Sequence, residues 1–265
     1  MGFIRDITDG IRDGLSRGDY RVAGPATVVG SPPRLSSAIR ARAAEGALLV
    51  EFKRVSPGSV SPELPVRTPT ELVGLLARAP VAGYSCIVTG PRFGGSVRDV
   101  QELVAATDLP VLFKDFVIDP AQIACARQVG ASAILLIARL EAEGLLSAPL
   151  TELTRAAHRA GLEVVLELHA GSELSLAAGV EADVYGVNVR DLDTLRLEPE
   201  VAAATLRAAA DLRPMLGLSG VAGPDDARRF WSLGTDGILV GSAIARSSDP
   251  AGFVRALGRP TREAP

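Results

Sequence analysis

Cysteine, histidine and aromatic side chains are scarce in this chain. Its 265 residues include two cysteines, two histidines and one tryptophan, and aromatics amount to 4%. Cys86 and Cys125 lie far apart in apolar stretches and make no zinc-type pattern, so both read as buried free thiols in a reducing cytosol. His158 and His169 are too distant in sequence for a local ligand pair, and no metal is expected. Basic residues are not in excess: the net charge is -3 and the pI about 5.6. Nucleic-acid binders need surplus cations, so nucleic acid is excluded as a partner, whereas a basic pocket for one small phosphate is not. No uncharged run reaches the roughly 18 residues of a membrane span. The opening MGFIRDITDGIRDGLSR carries charges where a signal peptide has its apolar core. A soluble, cytoplasmic protein with no membrane partner is expected.

What the chain does contain is a recurring unit. A short apolar run ends in a polar or glycine-rich loop, and an alanine- and leucine-rich helical segment follows. The runs are ALLVEFK (47–53), YSCIVT (84–89), VLFKDF (111–116), AILLIA (133–138), EVVLELH (163–169), VYGVNVR (184–190), PMLGLSG (214–220) and GILVGSA (237–243). Each has strand length and is rich in Val, Ile and Leu, and their spacing suits a strand plus a crossover helix. Between them, PTELVGLLARA (69–79) places Leu72, Leu75 and Leu76 on one helical face. DPAQIACARQVGA (119–131) offers Asp119 as cap, Pro120 in the first turn and Gly130 as terminator. AGPDDARRFWSLG (222–234) repeats that grammar, with Trp231 read as packing.

Near-continuous apolar strands alternating with helices predict a parallel sheet covered by helices. Eight repeats favour a closed α/β architecture, the (β/α)8 TIM barrel, over an open doubly wound sheet. The Gly-x-Gly-x-x-Gly turn of a dinucleotide fold is also missing after the first run. Residues 47–258 form the barrel and 259–265 a tail. Residues 1–46, with helices at 3–16 and 35–45 around a Gly/Pro-rich loop at 18–34, form an extension that caps one barrel end, all within one structural domain.

Barrel enzymes carry catalytic groups where strands end. Here those ends hold Glu51 and Lys53, two apart and facing the same way; Lys114; Glu167 with His169; Asn188 with Arg190; Ser219-Gly220; and Gly241-Ser242. Charges converging from separate strands would shift one another's pKa values and suit proton transfer. The glycines after strands seven and eight let backbone amides approach an anion, which predicts a small phosphorylated ligand without specifying a reaction. His169 is a rim group or a partner behind the site, and His158 a helix surface residue. There is no nucleophile elbow.

At these positions the sequence resembles the indole-3-glycerol phosphate synthase family. EFKRVSPGSVSP (51–62), VLFKDFVIDPAQI (111–123) and GVNVRDLDTL (186–195) are similar to its first-, third- and sixth-strand motifs. LSGV (218–221) and LVGSAI (239–244) resemble its phosphate loops, and Phe93-Gly94-Gly95 the loop after strand two. The resemblance implies a carbon–carbon lyase of tryptophan biosynthesis that needs no cofactor. Its substrate would be 1-(2-carboxyphenylamino)-1-deoxyribulose 5-phosphate. It implies catalytic roles for Lys114, Glu167, Lys53, Glu51 and Asn188, with the division of steps between the lysines left open. Phe93, Phe116 and Leu135 match the wall around the anthranilate ring; Lys53, Ser56, Gly220, Gly241 and Ser242 match positions near the phosphate. Arg190, which is expected to brace Glu51 or its own loop, completes the substrate-binding set with Ser219 and Leu239. The protein would be a monomer or homodimer.

The sequence departs from the family pattern at four places. Leu218 stands where a glutamate is usual, Gly90 follows the second-strand threonine in place of another glutamate, Gly58 replaces a serine, and Val189 a polar residue. Losing an acid beside two lysines is expected to depress a lysine pKa. These departures suggest a divergent synthase, such as a pathway-specific paralogue for a substituted ring. A different phosphate barrel, such as a sugar-phosphate isomerase, and a degenerate binding barrel are the other readings. The lysine–glutamate set argues against both.

Overall fold

All eight apolar runs become strands of one sheet. The computed structural model describes residues 2–22, 31–57, 65–90 and 92–260. Gly58, residues 23–30 of the Gly/Pro-rich loop, residues 58–62 of the first-strand motif and residues 261–265 of the tail lie outside the described residues. The strands are β1 (Ala47–Phe52), β2 (Gly83–Ile87), β3 (Val111–Lys114), β4 (Ala133–Ile137), β5 (Glu163–Leu168), β6 (Val184–Asn188), β7 (Met215–Leu218) and β8 (Gly237–Val240). Each pairs in parallel with the next, and β8 returns to β1, so the sheet closes as the expected (β/α)8 barrel. Most strands stop one to three residues before the apolar runs do. The remaining residues leave the ladder and enter the loops that carry the site.

The two-residue strand period sorts side chains into separate cores. Leu49, Leu112, Leu135, Val165, Val184, Leu216, Leu218 and Leu239 share one buried cluster inside the barrel. Their chain neighbours, including Leu48, Val50, Phe113, Ile134, Leu136, Val164 and Leu166, belong to the other cluster, against the surrounding helices. Cys86 and Cys125 are free and buried.

The helices are α1 (Phe3–Arg17), α2 (Leu35–Arg42), α3 (Pro69–Leu75), α4 (Val97–Ala106), α5 (Pro120–Gln128), α6 (Ala138–Ala142), α7 (Leu150–Arg159), α8 (Leu174–Ala177), α9 (Pro199–Ala208), α10 (Pro224–Ser232), α11 (Ser242–Ala245) and α12 (Pro250–Ala256). α5 starts as expected: Asp119 accepts the Ala121 amide and forms a capping box with Gln122, while Gly130 turns left-handed at φ 84° beyond its end. α3 is shorter than its pattern. It ends at Leu75, whose side chain is 43% exposed, while Leu72 and Leu76 are buried, so the expected three-leucine face is corrected to two. Trp231 is buried and donates to the Leu257 carbonyl, a packing role. No helix among the described residues is long and apolar enough to cross a membrane.

The N-terminal extension caps the barrel at both ends, not one. α2 plugs the end where strands begin: the Ser36 amide and hydroxyl bond Glu163 at the start of β5, and Arg34 pairs with Glu163 and Asp183. α1 lies over the opposite rim, with Arg12 donating to the Leu145 carbonyl and the Ile4 amide to Asp193. Ile4, Ile7 and Ile11 are at most 1% exposed. Burial of each contributes about 1.5–3 kcal/mol, so α1 is held as part of the fold.

Candidate active site

Residue parity and strand register bring the polar strand ends together. Glu51, Lys53, Lys114, Glu167 and Asn188 all line one cavity of about 760 Å³ at the C-terminal mouth. Ser56, Phe93, Phe116, Leu135, Arg190, Ser219, Gly220, Leu239, Gly241 and Ser242 line it too. All fifteen residues named from the sequence as catalytic or substrate-binding therefore line a common space. His169 sits behind the site, 4% exposed. His158 is on the surface side of α7, 2.9 Å from Asp183.

Glu51 is the hub of the cationic side. Its Oε1 lies 2.5 Å from Lys53 Nζ and its Oε2 2.9 Å from Lys114 Nζ. Of the 28 lysines and arginines in the chain, only these two are lysines. Burial alone would raise the Glu51 pKa, but the charges of Lys114 and Lys53 outweigh it and hold the carboxyl at about 2. Burial likewise works against a charged Lys114, yet Glu51 and Glu167 keep its pKa above the usual lysine value. The expected depression of a lysine is thus corrected for Lys114: two carboxylates flank it even with Leu218 in the barrel.

Glu167 is the opposing group. Burial pushes its pKa up; His169, Lys114 and Asn188 together bring it below the ordinary glutamate value. Asn188 Nδ2 donates to Oε1 at 3.1 Å, while Oε2 is buried and has no hydrogen-bond partner among the described residues. An ionised carboxylate that lines a cavity is chemically equipped to accept a proton.

The other side is neutral and rich in amides. Ser219 and Gly220 both adopt positive φ, at 64° and 75°. Gly241 precedes α11, whose first-turn amides find no helical acceptor. A Cβ on Gly241 would stand 3.0 Å from Glu51 Oε1, so any side chain here would press on the hub. Ser242 Oγ donates to Ser56 Oγ at 3.0 Å. The Oε1 atom of Glu51, which pairs with Lys53, is thus the one nearest Gly241.

Another part of the lining is apolar. Phe93 and Phe116 have centroids 6.4 Å apart, and Phe3 of α1 meets Phe93 edge-on at 6.4 Å. Phe3, Ile137 and Leu192 also line the cavity and were not read from the sequence. Nothing local marks Phe3, whose position depends on the path of the extension. Arg190 donates to the Leu195 carbonyl at 2.6 Å and so braces its own loop, leaving Glu51 to the lysines. Leu218 is 1% exposed and packs toward Gly186, where a Cβ would lie 2.8 Å from its Cδ1. Asp115, next to Lys114, is buried among Tyr20, Thr89 and Gln122. Among the described residues no group of His, Cys, Asp and Glu is arranged to hold a metal ion.

Comparisons with known proteins agree with this geometry. A family model described as indole-3-glycerol phosphate synthase matches residues 24–257. The chain is similar to the indole-3-glycerol phosphate synthase of Nocardioides sp., 34% identical, over 97% of this chain and 98% of that protein. The enzyme of the same name from Deinococcus radiodurans is 34% identical, over 90% of each chain. Indole-3-glycerol phosphate synthase 2 of Streptomyces coelicolor is 36% identical, over 86% of each. Among solved structures, 3-hexulose-6-phosphate synthase from Salmonella typhimurium superimposes with a TM-score of 0.58 at 18% identity, over 80% of this chain and 96% of that one. Thiamine phosphate pyrophosphorylase from Pyrococcus furiosus gives 0.57 at 17%, over 82% and 95%. At such identities these two speak for the fold alone.

Proposed function

The chain belongs to the indole-3-glycerol phosphate synthase family of carboxy-lyases, and from that premise we propose how its own residues carry out the ring closure. The substrate is 1-(2-carboxyphenylamino)-1-deoxyribulose 5-phosphate; the products are indole-3-glycerol phosphate, carbon dioxide and water, on the route to tryptophan in the cytoplasm. The observation that carries the proposal is the division of one cavity into three parts. Lys114 and Glu167, close enough to bias each other's charge, line it together with an amide-rich set at Ser219, Gly220, Gly241 and Ser242 and an apolar set at Phe93, Phe116 and Leu135.

The phosphate occupies the cradle of Ser219, Gly220, Gly241 and Ser242, with Lys53 and Ser56 beside it. The anthranilate ring lies against Phe93, Phe116 and Leu135. The ketone carbon is thereby held near the ring carbon that attacks it, which removes much of the entropic cost of closure. As attack proceeds, negative charge gathers on the ketone oxygen, and Lys114, kept protonated by Glu51 and Glu167, donates to it. The ring, dearomatised and cationic through its nitrogen, accepts the electron pair released with carbon dioxide, so this step requires no added cofactor. Dehydration follows. Glu167 takes a proton from the new five-membered ring while a lysine protonates the departing hydroxide. Asn188 holds Glu167 and orients a substrate hydroxyl.

The test is purified protein with this substrate, followed by indole fluorescence. Turnover is expected, with a loss of roughly a thousandfold or more in Lys114→Ala, in keeping with removal of a positioned acid. Absence of fluorescence from the unmodified protein, or an unchanged rate in Lys114→Ala, overturns the proposal.

A further inference from the structure

Behind Glu167 lies a chain of buried and half-buried charges that the reaction scheme does not use. His169 follows Glu167 by two residues at the end of β5 and so projects to the same side. Its side chain is 3% exposed, with Nε2 3.2 Å from Glu167 Oε1 and Nδ1 3.8 Å from Glu173 Oε2. Glu173 also accepts the His169 backbone amide at 2.7 Å and pairs with Arg139 at 3.0 Å. Arg139 reaches on to Asp191 at 2.8 Å. Asp191 in turn gathers the amides of Asp193 and Thr194 and the Thr194 hydroxyl, fixing the loop after β6 that brings Leu192 and Leu195 to the cavity.

The chemistry of the two neighbours decides the state of the ring. A neutral imidazole has one donor nitrogen and one acceptor nitrogen, and an ionised carboxylate only accepts. Between two carboxylates, a neutral ring would turn a lone pair on one of them. A cation alone turns a positive N–H edge toward both, at ion-pair distance with neither contact meeting hydrogen-bond geometry. Burial works against that cation, yet Glu167 and Glu173 outweigh it and lift the ring's pKa to about 9. The remaining groups facing Glu167 are Lys114 from β3 and the uncharged Asn188 from β6.

We propose that His169 is a positioning residue, a buried imidazolium that keeps Glu167 ionised and aimed at the substrate, and that Glu173, Arg139 and Asp191 tie this hold to the loop after β6. The inference rests on Glu167 as the proton acceptor. Removing the cation raises the proton affinity of Glu167, so the acid limb of the pH–rate profile moves to higher pH. Removing the second carboxylate, with the cation retained, moves that limb to lower pH. Loss of packing alone would not produce opposite displacements.

The experiment has two arms. In the first, ring nitrogens of the full-length protein, labelled with 15N-histidine, are followed by NMR between pH 6 and 10. The chain has only two histidines, and His158→Gln assigns them. His169 is expected to remain an imidazolium at pH 7.5; titration at or below the ordinary histidine value overturns the proposal. In the second, kcat/KM is measured from pH 3.5 to 9 by indole fluorescence. His169→Gln is expected to shift the acid limb up by about one unit, a loss of roughly several-fold at the lowest pH that recovers as pH rises. Glu173→Gln is expected to shift it down. A uniform loss at every pH, or displacement of both variants in one direction, overturns it. If His169→Gln does not fold, Glu173→Gln and the NMR titration still decide. If the unmodified protein yields no indole, the proposed reaction fails, and the NMR arm judges the imidazolium independently.

Discussion

Tyr20 donates its phenolic hydrogen to Asp115 across 2.6 Å, joining the N-terminal extension to the residue that follows Lys114. The carboxylate is 2% exposed and also accepts from Thr89, Gln122 and the Phe116 amide. Burial nevertheless keeps the Asp115 pKa raised, so each donor counts against the cost of a charge away from water. Tyr20→Phe removes one donor and leaves the aromatic packing in place. The expected cost is about 1–3 kcal/mol, read as a lower urea midpoint with an unchanged m-value.

Glu51→Gln tests the hub. The amide removes the charge shared by Lys53 and Lys114, leaving Glu167 as the carboxylate that still supports a charged Lys114. Lys114 then releases its proton at lower pH, so the alkaline limb of kcat moves down. At neutral pH kcat is expected to fall about a hundredfold, as loss of an acid's support should. Stability carries the opposite pH signature. The Glu51 pKa is depressed from 4.5 to about 2, so its contribution is full above about pH 4.5 and fades as pH falls toward 2. The stability difference between variant and parent should therefore shrink in acid. A pH-independent difference would contradict the pairing.

Much of this site was legible because the two-residue strand period acts on neighbours. Glu51 and Lys53, and Glu167 and His169, share a face by parity alone, and the apolar runs located the strands. A further signal lay unread in the composition: both lysines of the chain are at the site. What was not legible depends on distant segments meeting. Phe3 reaches the aromatic wall only because α1 crosses the rim, and Arg139, Glu173 and Asp191 each read as an ordinary loop or helix charge. Leu75 failed for a local reason, since its helix ends before the next turn can bury it. The state of Lys114 was misjudged because its sign depends on how close Glu51 and Glu167 come, a distance that a missing acid at position 218 does not reveal.

The phosphate cradle yields a contrast between two small substitutions. A Cβ on Gly241 would stand 3.0 Å from both Cβ and Oε1 of Glu51 and 3.1 Å from its carbonyl oxygen, so Gly241→Ala must displace the hub or the loop. Both KM and kcat are expected to worsen, each by about tenfold, an overpacking cost of about 1–3 kcal/mol. Ser56→Ala removes only the hydroxyl 3.0 Å from Ser242 Oγ. It is expected to raise KM a few-fold and leave kcat unchanged, the pattern of a lost uniform binding contact. Steady-state kinetics on the two variants distinguishes these outcomes.

Having only two lysines makes the site chemically addressable. An amine-directed reagent can modify no more than Lys53, Lys114 and the N-terminal amine. Acylation needs the unprotonated amine, and Lys114 holds its proton more tightly than an ordinary lysine. Both side chains are also largely covered, at 16% and 18% exposure, and both are paired with Glu51. Labelling should therefore be slow at pH 7 and accelerate toward pH 10, with loss of activity tracking the first ε-amine adduct found by mass spectrometry. Inorganic phosphate, seated in the cradle on the Lys53 side, should shield Lys53 and leave Lys114 labelled at its former rate. Equal shielding of both lysines, or none, would overturn the proposed seat of the anion beside Gly241, Ser242 and Lys53.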